Sequence, residues 1–268
     1  MELHVAEYGA RDGRPLLVVH GGPDWDHSYL VEPLIRLPDW HRVVFPDLRG
    51  CGRSTRGLTD EQYAWDLAVE HLVVLIDKLG LPTADVLGFS TGGTLALRLV
   101  LRAPQRVRRL IIASSSVEPV PPDAFAGWAE RDRRRSAATE PDDRLDGPEL
   151  TRAWAFGSAA ENVWRAEALP DYLGRLERIN FSGDWTRRWL AERLGDARPA
   201  DARRRLADTG IPVLLLHGRQ DMTFPAALAE VTGATMRTAS ARILDDAGHM
   251  AHIDQPDRWL AAVQHFLG

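Results

Sequence analysis

A hydroxyl, a carboxylate and an imidazole lie far apart in this chain, each where a strand gives way to a loop. The hydroxyl is Ser90, in the run Gly88-Phe89-Ser90-Thr91-Gly92. The apolar run Ala84-Asp85-Val86-Leu87 precedes it, and a helical pattern from Thr91 to Leu101 follows. A serine on such a strand-to-helix turn sits in strained backbone, with small neighbours relieving the crowding. Its hydroxyl projects from the sheet, and the next amide points into the same space from a helix N-terminus. A free hydroxyl is a poor nucleophile at neutral pH, so it needs a base, and the base needs an acid to fix its tautomer. Asp221 follows the strand-like run Ile211-Pro212-Val213-Leu214-Leu215-Leu216-His217, and His249 follows Ala241-Arg242-Ile243-Leu244. The order Ser, Asp, His suits a serine in this strand–turn–helix context. Glu118, just past the preceding strand, is the alternative acid. Asp245 and Asp246 read as strand-end or turn residues.

A tetrahedral oxyanion needs donors. Leu16-Leu17-Val18-Val19-His20-Gly21-Gly22-Pro23 is a strand ending in a Gly-rich loop that can approach a ligand closely. The expected donors are the amides of Gly22 and Thr91. His20 is expected to orient that loop. Asp24 and Asp26 suit capping of the next helix, and Asp24 is also a candidate for substrate contact.

Several further elements must position these groups. Alternating or apolar runs near 3–8, 16–20, 42–46, 84–89, 108–114, 211–217 and 241–246 predict about seven strands in a mostly parallel sheet. Helices are predicted over 60–79 and 257–267. Residues 118–205 carry no strand pattern and are rich in Ala, Arg, Glu and Trp. They read as a helical cap (lid) inserted before the last two strands, over a core made of 1–117 and 206–268. Of nine tryptophans, Trp128, Trp154, Trp164, Trp185 and Trp189 fall in this insertion. By position, Trp154 and Phe156 are the candidates for roofing an acyl pocket.

Taken together, His20-Gly21-Gly22-Pro23, Asp47-Leu48-Arg49-Gly50-Cys51-Gly52-Arg53-Ser54, the Ser90 turn, Gly218-Arg219-Gln220-Asp221 and Gly248-His249 resemble the α/β-hydrolase superfamily nearly end to end. The first two blocks are most similar to its proline iminopeptidase branch. That resemblance implies an α/β-hydrolase core with a helical cap, and often aminopeptidase activity. The chain departs from the branch at Asp24, where a further glycine is usual. It also lacks the cap glutamates that receive a free amine: Ala153-Trp154-Ala155-Phe156 has neither the second tryptophan nor the acid, and Ile179 and Asn180 are adjacent. An unpaired, desolvated ammonium would cost several kcal/mol.

The bulk numbers fit this reading. A net charge of −5 gives no reason to expect nucleic acid or an anionic membrane as partner. Cys51 is the single cysteine, so no intrachain disulfide forms. No His/Cys/carboxylate cluster has metal-ligand spacing, and no cofactor is expected. No leader or membrane-length apolar run is evident, so a cytoplasmic location is expected. The expected reaction is hydrolysis of a small, largely apolar ester, lactone, thioester or amide through an acyl-enzyme. Release of N-terminal proline, cofactor-free lyase or cyclase chemistry, and ligand reception without turnover are the rival readings.

Overall fold

A computed structural model describes residues 1–22, 24–142 and 144–268. Its centre is a seven-stranded sheet in the order β1-β3-β2-β4-β5-β6-β7. The strands are β1 (Val5–Gly9), β2 (Arg14–Val19), β3 (His41–Pro46), β4 (Ala84–Phe89), β5 (Val107–Ala113), β6 (Val213–Gly218) and β7 (Ala239–Leu244). Only β1 runs antiparallel, against β3; all other pairs are parallel. The α/β class and the strand count agree with the expectation from sequence.

The central strands are buried on both faces, as parallel strands under helices on both sides must be. Successive side chains point to opposite faces. Leu16 and Val18 therefore join Leu87, Phe89, Leu214, Leu216 and Trp259 in one apolar layer. Leu17 and Val19 join Val86, Leu95, Ile112, Val213 and Leu215 in the other.

The chain winds helices α1 (Val31–Leu34), α2 (Trp65–Lys78) and α3 (Thr91–Arg102) between the early strands. Helices α4 (Ala129–Ala137), α5 (Gly147–Gly157), α6 (Ala159–Asn162), α7 (Leu169–Leu176), α8 (Asp184–Leu190) and α9 (Ala202–Asp208) lie between β5 and β6. Ala202 and Leu206 of α9 pack with the core layer that holds Leu95 and Val213. The chain closes with α10 (Ala226–Thr235), α11 (Ala251–Asp254) and α12 (Pro256–Leu267). Gln255 precedes Pro256, which takes a first-turn position where its missing N–H costs nothing. Among the described residues no helix is long and apolar enough to cross a membrane.

Candidate active site

Ser90 stands between β4 and α3 with φ 53° and ψ −123°, a region that non-glycine residues seldom occupy. Such strain persists only where surrounding structure imposes it. Here the Ser90 N–H donates to the Ala113 carbonyl on β5 (2.9 Å), and its carbonyl accepts from Gly93 N–H (2.8 Å). Both ends of the turn are thus fixed, and the side chain is left to point away from the sheet.

His249 and Asp221 converge on it. His249 Nε2 lies 3.1 Å from Ser90 Oγ, and His249 Nδ1 lies 2.9 Å from Asp221 Oδ2. A proton on Nδ1 leaves Nε2 free to accept from the hydroxyl. Asp221 is fully buried, and its Oδ1 accepts from the amides of Thr223 (2.8 Å) and Phe224 (2.9 Å). Burial by itself would raise its pKa, but the His249 and His217 imidazoles outweigh that and hold the carboxyl well below the usual range. His217 Nε2 donates to the Phe224 carbonyl (2.8 Å) and lies 3.2 Å from Asp221 Oδ2. The carboxylate is therefore an ionised, rigid acceptor facing the imidazole. Glu118, the other acid considered, pairs instead with Arg203 at 3.1 Å.

The Gly-rich loop after β2 runs against the serine. A Cβ on Gly21 would fall 2.7 Å from Ser90 Cβ, and Gly22 has φ 69° with Trp25 packed against it, so neither position accepts a side chain. Pro23 of the same motif lies outside the described residues. His20 does what the sequence suggests: Nδ1–H donates to the Gly21 carbonyl (3.1 Å), and Nε2 accepts from Leu48 N–H (2.9 Å). Burial lowers its pKa and keeps it neutral for that acceptor role. Among the described residues neither Gly22 N–H nor Thr91 N–H has an acceptor. Both residues line a cavity of about 260 Å³ beside Phe224.

Asp24 also borders this cavity. It does not cap the next helix. Its Oδ1 accepts from Ser182 Oγ (2.9 Å) and Trp185 N–H (3.0 Å), and its Oδ2 from Thr186 N–H (2.6 Å). It caps α8, which brings Trp185 and Trp189 into the cavity wall. Asp26 accepts from Ser28 N–H and from Asn180 N–H, both at 2.9 Å. Trp154 and Phe156 do not line the cavity. Phe156 packs on the core layer with the Arg152 guanidinium 4.3 Å above its ring. The aromatic wall comes from Trp65 on α2 and from Trp185, Trp189 and Phe224. His252 is buried beside Phe89, with Nε2 3.3 Å from the Tyr29 carbonyl. No local pattern marks Trp65, Phe224 or the cavity-lining Arg198, which become neighbours only through tertiary packing.

The hydroxyl, imidazole and carboxylate at the carboxyl edge of a doubly wound sheet, with a Gly-rich loop at their side, define a hydrolase class. The chain belongs to the family described as alpha/beta hydrolase fold, whose model matches residues 14–256. It is 30% identical over 261 residues to 2-hydroxymuconate semialdehyde hydrolase of Pseudomonas sp. (strain CF600), covering 95% of this chain and 87% of that protein. It is 27% identical over 270 residues to proline iminopeptidase of Heyndrickxia coagulans, covering 95% and 91%. Among solved structures it is similar to a proline iminopeptidase-related protein of Thermus thermophilus, with a TM-score of 0.73, 25% identity, and 99% and 92% of the two chains covered. A hydrolase of Bacillus anthracis str. Sterne shares the fold at a TM-score of 0.78 and 18% identity, with 98% and 95% covered.

Proposed function

We propose that this protein is a serine hydrolase that cleaves a small, largely apolar ester, lactone, thioester or amide through an acyl-enzyme. The observation that carries this reading is the hydrogen-bonded line from Ser90 Oγ through His249 to Asp221, at 3.1 and 2.9 Å. Ser90 Oγ attacks the substrate carbonyl carbon as its proton passes to His249 Nε2. The oxyanion sits between the amides of Gly22 and Thr91, each donor typically worth about 3–4 kcal/mol in the transition state. The carbon–heteroatom bond breaks, and the leaving group takes the proton from His249. Water then gives a proton to the same imidazole, attacks the acyl carbon and restores the Ser90 hydroxyl. Asp221 holds the imidazole's tautomer and stabilises its charged form. Apart from that water, these steps use only the chain's own groups.

In this reading residues 118–205 are the cap (lid) and select the substrate, while 1–117 and 206–268 form the catalytic core. The substrate is a small molecule and the location cytoplasmic. Proline iminopeptidase relatives raise a second reading, release of N-terminal proline. The cavity argues against it: Asp24 is the one carboxylate among the described lining residues, and both its oxygens are taken by α8 and Ser182. Among the described lining residues no acid is left to receive an ammonium.

A fluorophosphonate probe tests the assignment. The wild type should be labelled on the peptide carrying Ser90, and Ser90→Ala should abolish labelling. Labelling of Ser90→Ala at another serine would overturn the reading.

A further inference from the structure

A cation with no paired carboxylate among the described residues stands in the wall of the same cavity. Arg198 lies between α8 and α9 and lines the cavity together with Leu194, Trp189 and Phe224. Its Nε donates to the Ser116 carbonyl at 3.1 Å. Its Nη2 is shielded from solvent and has no acceptor among the described residues. Other arginines of this segment are paired, Arg193 with Asp60 at 3.1 Å and Arg203 with Glu118 at 3.1 Å. No carboxylate among the described residues pairs with Arg198. Burial lowers its pKa, and no neighbouring charge opposes that shift.

A guanidinium keeps its proton in a protein. The cavity therefore holds a positive charge whose desolvation is only partly offset, by one carbonyl and one aromatic face. Its position relates that charge to the chemistry. The Arg198 guanidinium carbon is 5.4 Å from the Phe224 ring centre. The Phe224 ring stacks on the His249 imidazole at 5.9 Å and 25°. One ring thus separates the cation from the base.

We infer that the cavity takes a substrate bearing a carboxylate, which seats on Arg198 while its scissile carbonyl reaches Ser90. The inference rests on the serine-hydrolase reading and adds to it the substrate's charge. A guanidinium offers parallel N–H groups that match a carboxylate's two oxygens, and among the described residues the hydrogen bonds of Arg198 use Nε alone. The rest of the wall, including Trp65, Trp185 and Leu48, suits an apolar body joining the two polar ends. The cavity of about 260 Å³ has room for a small ester.

The test compares aryl esters matched in length. One pair differs on the acyl side, mono-p-nitrophenyl glutarate against p-nitrophenyl pentanoate. The other differs on the alcohol side, with butyrate esters of 4-hydroxybenzoate and of 4-hydroxybenzamide. In at least one pair the wild type should prefer the carboxylated ester in kcat/KM by about 10- to 100-fold, as expected for a charge-assisted hydrogen bond made in a dry site. Arg198→Met should collapse that ratio toward one, and Arg198→Lys should restore part of it. Thermal melting of Ser90→Ala with phenylacetate or phenylacetamide gives a readout without turnover: only the acid should raise the melting temperature, and Arg198→Met in the same background should remove the effect. Turnover with equal preference in both pairs, and equal shifts by acid and amide, would overturn the carboxylate inference and leave the hydrolase reading standing. A phenylacetate shift that depends on Arg198, in a protein that neither labels at Ser90 nor turns over any ester, would support the anion site while overturning the hydrolase reading.

Discussion

Replacing Asp24 by asparagine keeps the side chain's shape and removes its charge. In the wild type both oxygens are used, Oδ1 by Ser182 Oγ and Trp185 N–H and Oδ2 by Thr186 N–H at 2.6 Å. An asparagine has one acceptor oxygen. If that oxygen faces Trp185, its amino group meets the Thr186 N–H, donor against donor, and the reverse placement strands Trp185 instead. The site is fully buried, so water does not repair the loss. Hydrogen bonds to a charged group contribute about 1.5–3 kcal/mol each, and a buried unsatisfied donor costs a similar amount. Asp24→Asn should therefore destabilise the protein by about 3 kcal/mol. For a chain of this size that corresponds to a melting temperature lowered by roughly 6–12 °C. The loss also frees the first turn of α8, whose Trp185 and Trp189 form part of the cavity wall. KM for a neutral aryl ester should rise more than kcat falls, because Asp24 holds the wall and does not touch the reacting atoms. Thermal melting and steady-state kinetics on the same preparation check both parts. A variant that melts within a degree or two of wild type would refute the capping role. A variant of unchanged stability whose kcat collapses would point to direct contact with substrate.

Two further outcomes follow from the buried carboxylates. Asp221→Asn leaves the volume unchanged but favours the wrong imidazole tautomer, and should lower kcat by on the order of 10⁴-fold with little change in KM, measured on any ester the wild type accepts. Asp47 accepts from His27 Nδ1 at 2.6 Å and from Arg53 N–H at 2.9 Å. Burial would raise its pKa, yet these partners and His20 outweigh it and bring the carboxyl from 3.8 down to about 2. A carboxyl depressed in the folded state stabilises above its unfolded pKa, and that contribution fades as the pH falls through the folded value. It amounts to about 2 kcal/mol at neutral pH. Urea unfolding should show Asp47→Asn weaker than wild type by at least that amount at pH 7, with the gap narrowing between pH 4 and 2.

The sheet and the residues that meet at its edge were readable for a physical reason. Ser90 and Asp221 each follow an apolar run that forms a buried strand, His249 follows the edge strand β7, and the carboxyl ends of parallel strands lie along one edge. The alternation of Leu16, Leu17, Val18 and Val19 between two apolar layers is likewise a local property of the chain. The cavity wall is different. Trp65, Trp185 and Arg198 come from separate elements, and nothing in their own neighbourhoods says that they meet. Asp24 shows the same limit at one residue. Its type and its place after a glycine loop mark it as a cap, but the amides it caps lie 161 and 162 positions away. Trp154 and Phe156 had only their position between β5 and β6 to recommend them; neither lines the cavity, and Phe156 packs on the core layer instead.

How the segment between β5 and β6 is attached bears on the shape of the cavity. Three buried aspartates outside the segment between β5 and β6 accept backbone N–H groups of that segment. Asp24 takes Trp185 and Thr186, Asp26 takes Asn180, and Asp254 takes Trp164 and Arg165 at 2.9 Å each. Asp254 also accepts from Gly248 N–H at 2.7 Å, the residue before His249. The same carboxylates that fasten this segment thus sit in or reach the loops carrying Gly22 and His249. Arg175 closes the far side through the carbonyls of Tyr29 (3.0 Å) and Glu32 (2.6 Å). Buried charge-assisted bonds of this kind have strict geometry, and breaking one leaves a group that water cannot reach. They therefore fix the wall against the core more tightly than apolar packing alone. The segment holding Arg198 lies beyond these anchors, joined to the core by its own bond to the Ser116 carbonyl. Rigid anchoring on one side and a cation with no paired carboxylate among the described residues on the other divide the labour: the aspartates hold the cavity's wall, and in the carboxylate inference Arg198 sets the charge it accepts.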